Sequence, residues 1–124
     1  MEKEQYVSLE TSQLLKEKGF DWDTDKVYER NLMACRYEDY PMPTQATACR
    51  WLREEKGIHI CGEIYKDYSE DADGNIVDEW TYWGWSFYWL PSGNIGLSSG
   101  SDEFASYEEA VEAALQYCLK NIVK

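Results

Sequence analysis

A chain of 124 residues, 44% of them hydrophobic, has the size of one domain, and at that length roughly two-thirds of the unfolded surface is buried in a single core. Twenty-four acidic against twelve basic side chains leave a net charge of -12, which repels phosphate backbones and anionic lipid and argues against nucleic acid and membrane surfaces as partners. The imbalance is uneven: residues 1–62 carry twelve acidic and nine basic side chains, a net of -3, whereas residues 63–124 carry twelve and three, a net of -9.

The opening MEKEQYVSLE lacks the basic start and apolar run of a secretory signal. No apolar stretch approaches the ~20 residues that span a bilayer, so a cytoplasmic protein is expected. Ser8 can cap a first helix from about Leu9 to Lys18, with Gly19 placed to end it in a left-handed conformation. Residues 20–40 hold Trp22, Val27, Tyr28, Leu32, Met33 and Tyr37 without a clean period, which suggests a small hairpin or an irregular wrapping segment. Pro41 and Pro43 keep the chain extended up to Thr44, the cap of a second helix from Gln45 to about Lys56 that Gly57 stops.

Three strands follow. Ile58 to Tyr65 alternates Ile58, Ile60, Gly62 and Ile64 with His59, Cys61, Glu63 and Tyr65. After a loop turned at Asp73-Gly74 comes Glu79 to Leu90, EWTYWGWSFYWL, with seven aromatic residues in twelve positions. Its two faces are both apolar: Thr81, Trp83, Trp85, Phe87 and Trp89 form the expected core face, and Trp80, Tyr82, Gly84, Ser86 and Tyr88 the opposite one. A turn at Pro91-Ser92-Gly93-Asn94 leads into a short strand, Ile95 to Ser98. Ser106 with Glu109 forms a capping box for a third helix, whose Tyr107, Val111, Ala114, Leu115, Cys118 and Ile122 recur at helical spacing. The expected fold is therefore one α+β domain over 1–124, with helices packed on one face of a three-stranded antiparallel sheet in the order α-α-β-β-β-α.

No motif in the chain specifies an enzyme. The loop Ser69 to Ile76 has the Asp71, Asp73, Gly74 and Ile76 of a calcium loop, but Ser69 and Trp80 stand where the first and twelfth ligands belong, so it reads as an acidic hairpin loop. His59 and Cys61 share a strand face, the arrangement that could activate a thiol, yet no glycine-rich turn or helix start beside Cys61 offers an oxyanion hole. Gly93, Gly96 and Gly100 in SGNIGLSSGS lack the spacing of a phosphate cradle. Cys35, Cys49, Cys61 and Cys118 form no CxxC pair and are expected to be free thiols. No catalytic residue, metal or cofactor is expected.

From Thr44 onward the order α-β-β-β-α resembles that of a double-stranded-RNA-binding domain, with SGSDEFASYEEAVEAAL where that family has a glycine-bearing loop followed by its second helix. The resemblance implies phosphate-gripping lysines at the start of this helix, but those positions are Tyr107, Glu108 and Glu109, which repel phosphate. The likeness is topological. The phrases YVSLETSQLLKEKGF, YPMPTQATACRWLREEKGIHI and SYEEAVEAALQYCLKNI also resemble a group of small uncharacterised proteins of gut anaerobic bacteria and their phages and mobile elements. That resemblance implies no catalytic residue, cofactor or partner.

The second face of the aromatic strand carries the functional expectation. Trp80, Tyr82 and Tyr88, with Tyr65, His59 and Cys61 from the neighbouring strand, make a patch larger than a monomer usually exposes. Residues 20–40 cover it, or it is an interface for self-association or a protein partner, or it is a platform for a small ligand. The reading favoured is a non-enzymatic protein-interaction module, acidic enough to imitate a nucleic acid before a basic surface. Its alternatives are a small enzyme using His59, Cys61 or the Asp71 and Asp73 pair, and a weak RNA-binding-like domain.

Overall fold

The computed structural model of the protein describes residues 5–24, 27–32, 36–91, 93–97 and 103–123. Ser8 caps α1 (Leu9–Glu17), its hydroxyl accepting from the Thr11 amide. Residues 20–40, expected as a hairpin or an irregular wrap, contain β1 (Val27–Leu32) and most of β2 (Arg36–Pro41), which pair antiparallel from Val27↔Pro41 to Leu32↔Arg36. This hairpin lies against α1, where the Ser12 hydroxyl donates to the Pro41 carbonyl. Thr44 caps α2 (Gln45–Trp51), which continues as a turn of π-helix over Leu52–Lys56 and stops at Gly57, φ 70°.

Two long strands come next, β3 (Ile58–Glu70) and β4 (Ile76–Trp89). They pair antiparallel from Ile58↔Trp89 through Gly62↔Trp85 to Tyr68↔Glu79, with a bulge at Ser69/Glu70. Both exceed their expected lengths, because cross-strand hydrogen bonding carries the ladder through Lys66, Asp67 and Ser69, whose polarity alone suggests a loop. β5 (Asn94–Leu97) pairs with the end of β4, and Phe104 exchanges two backbone hydrogen bonds with Trp83, at 2.9 and 3.0 Å. Ser106 caps α3 (Tyr107–Asn121) by accepting from the Glu109 amide, while the Glu109 carboxylate accepts from the Ala105 amide. The α+β class stands, with the 27–41 hairpin added to the expected order.

The face of β3 and β4 that carries Ile58, Ile60, Gly62, Trp83, Trp85, Phe87 and Trp89 is the one α3 covers. Tyr117 on α3 lies 5.1 Å from Trp85 and 5.9 Å from Phe87 between ring centroids, and Tyr107 meets Trp83 edge-on at 5.7 Å. Gly62 permits this approach by having no side chain: a Cβ there would sit 2.6 Å from the Tyr107 ring and 3.3 Å from Val111. Phe20, Trp51, Leu52, Ile58, Leu115 and Leu119 continue the core between the helices. Each such buried side chain contributes on the order of 2–3 kcal/mol of transfer free energy.

A carboxylate holds the three helices together on the other side of α3. Glu112 accepts from the Ser8 amide at 2.6 Å and the Thr11 hydroxyl at 2.7 Å through one oxygen, and from the Gln45 amide nitrogen at 3.0 Å through the other. Thr11 and Gln45 are buried, so these bonds satisfy polar atoms that water cannot reach. The close packing at Gly62 gives a test by denaturant unfolding. Gly62→Ala should cost about 1–3 kcal/mol, the range for overpacking a tight contact, and clearly less in a Tyr107→Ala background. Equal costs in the two backgrounds would mean that Tyr107 does not set the limit.

Candidate functional site

Strand alternation sends every second residue of β3 and β4 away from α3. The reverse face so formed holds His59 opposite Tyr88, Cys61 opposite Ser86, Glu63 opposite Gly84, Tyr65 opposite Tyr82 and Asp67 opposite Trp80. All five expected interface residues, His59, Tyr65, Trp80, Tyr82 and Tyr88, thus share one surface. Among the described residues, the hairpin that residues 20–40 contribute to lies against α1. Tyr88 is 47% exposed, its neighbour Ile95 58% and Trp80 37%.

The face has internal order. Glu63 accepts from the Tyr65 hydroxyl at 2.6 Å with one oxygen and from the Ser86 hydroxyl at 3.1 Å with the other, so a single carboxylate spans both strands. That anchor holds the Tyr65 ring against Tyr82, stacked at 5.5 Å between centroids and 21° between planes. The same bond, which only the protonated phenol can donate, pushes the Tyr65 pKa up to about 12.

Beyond Ile64 and Thr81 the ribbon leaves the helices behind, and Tyr68, Ile76 and Val77 are exposed. Residues 63–80 hold seven carboxylates, Glu63, Asp67, Glu70, Asp71, Asp73, Asp78 and Glu79, and one cation, Lys66, which pairs with Glu79 at 3.5 Å. Half of the net charge of -12 thus lies on these eighteen residues. At the tip, Asp71 accepts from the amides of Asp73 and Asn75 at 2.9 and 3.0 Å, which lowers its pKa, the Asn75 bond leading. Its carboxylate is engaged in closing the turn, and no group of three potential metal ligands forms among the described residues.

His59 and Cys61 share the face without meeting: neither makes a hydrogen bond to the other, and Glu63 is committed to Tyr65 and Ser86. Cys49, Cys61 and Cys118 are free thiols, and burial pushes Cys49 and Cys118 up to about 12, so both stay protonated at neutral pH. Met33, Cys35, Ser92, Ser98 and Gly100 lie outside the described residues. None of the helices among those residues is long and apolar enough to cross a membrane. Sequence reasoning missed Glu63 as the organiser of the face and the length of the ribbon, although Tyr68 and the Ile76-Val77 pair were available as signs that the strands run on. Comparison with protein-family models, with curated proteins and with solved structures returns no match.

The Glu63–Tyr65 bond predicts a pH signature. The raised value means that the folded protein retains the Tyr65 proton, so the bond is intact throughout neutral pH and is lost only as pH rises through about 12. Absorbance titration read against Tyr65→Phe should show one tyrosine ionising late, and Glu63→Gln should return it towards the ordinary value of about 10. A Tyr65 that titrates with the other phenols in the unsubstituted protein would contradict the anchor.

Proposed function

We propose that this protein is a non-enzymatic interaction domain whose β3–β4 ribbon docks a Lys- and Arg-rich segment of a partner protein. The observation that carries the reading is the coincidence, on one ribbon, of stacked tyrosines and an exposed tryptophan with seven carboxylates against one lysine. Aromatic faces attract ammonium and guanidinium groups and carboxylates pair with them, so both kinds of side chain favour the same class of ligand. A second copy would present the same carboxylates to this ribbon and be repelled. Nucleic acid would meet the same repulsion, which leaves a basic protein surface, including one that itself handles nucleic acid, as the complementary partner.

Tryptophan fluorescence during titration with an octa-arginine peptide tests this. Binding should weaken about tenfold or more between low salt and ~0.5 M salt, where screening shortens the Debye length to about 4 Å. Reversing Asp78 and Glu79 to lysine should weaken it severalfold more than the same change of charge at Asp21 and Asp23, which are also exposed but lie outside the ribbon. Equal losses in the two double variants would reduce the interaction to bulk charge and overturn the assignment to this surface.

A further inference from the structure

A cleft of about 560 Å³ lies between α2, the start of α3 and β3, on the helix side of the sheet and away from the proposed docking face. Its walls are apolar where Ala46, Ile60, Val111 and the Tyr107 ring line it, and its cations are Arg50 and Arg53. The two arginines differ. Arg50 is engaged, with Nε 3.0 Å from Glu54 and its guanidinium over the Trp22 ring at 5.6 Å. Arg53 has no carboxylate partner among the described residues, in a chain where acidic groups outnumber basic ones two to one. Cys49, half-buried beside it, feels the Arg53 charge but stays protonated, so it supplies no counter-charge. Glu108, the acid that lines the cleft, sits by the first turn of α2, where its carbonyl accepts from Gln45 at 2.8 Å.

We propose that this cleft is a small-molecule site for an amphipathic carboxylate, its acid group held by Arg53 and its hydrocarbon body lying on Ile60, Val111 and Tyr107. The volume falls within the range of ligand pockets, and an apolar wall with one positioned charge is their usual chemistry. This site is independent of the ribbon: neither needs the other to be occupied.

The probes are octanoate and octan-1-ol, which share a chain and differ in the charge of the head, followed by amide chemical shifts. Octanoate should move the amides of Ala46, Cys49, Ile60 and Val111 and bind about threefold to fivefold tighter than the alcohol, the scale of a solvent-accessible ion pair. Arg53→Gln should remove that preference while leaving octan-1-ol unchanged, and Ala46→Trp, a change at an exposed position that fills the cleft, should abolish both. The proposal is overturned if the alcohol binds as tightly as the acid, if Arg53→Gln leaves the preference intact, or if the shifts persist in Ala46→Trp.

Discussion

The contact between α3 and β3 at Gly62 is the constraint on which the rest of the structure depends. With no side chain there, the Tyr107 ring and Val111 reach the sheet, and the helix can lie across Trp83, Trp85 and Phe87. Glu112, one turn past Glu108 on the same helix, then gathers α1 and α2 through Ser8, Thr11 and Gln45. α3 therefore has an apolar side that sets the sheet and a polar side that sets the other helices. A Cβ at position 62 would act on both, because it would move the element they share.

The same geometry explains the uneven solvent exposure of the ribbon. α3 reaches only the end of β3–β4 nearest the other helices, so Trp85 and Phe87 are buried while Tyr68, Ile76 and Val77 remain in water. A two-stranded ribbon without a covering layer is marginal on its own. Here it is continuous with a packed half, and Lys66–Glu79 and the closed turn at Asp71 support its outer part. Its density of carboxylates also works as protection, since charged side chains discourage a free strand from pairing with another copy. On the function proposed above, such a surface would repel its own kind and nucleic acid and complement a cationic protein segment.

Much of the helical framework was legible in the residues. Ser8, Thr44 and Ser106 mark the three starts and Gly19 and Gly57 two of the stops, because capping is local chemistry that needs no knowledge of neighbours. The split of Glu79–Leu90 into a core face and a second aromatic face was equally visible, since a strand alternates whatever it packs against. The hairpin at 27–41 and the outer part of β3 were harder to read. Their strand character comes from cross-strand partners, Val27 with Pro41 and Asp67 with Trp80, and not from composition. Of the site, the sequence named the aromatic members but not Glu63 as their anchor, because the partners of that carboxylate depend on the cross-strand register. The Arg53 cleft was invisible for the same reason: Ile60, Ala46 and Val111 meet only through tertiary packing.

The central claim, that one continuous hairpin is half core and half free arm, is tested most directly by native-state hydrogen exchange resolved by residue. Amides from Ile58 to Gly62 and from Trp83 to Phe87 should be lost only with global unfolding, whereas those from Lys66 to Glu79 should open locally and exchange orders of magnitude sooner. Uniform protection along both strands would show that the outer ribbon is covered, and would contradict the account.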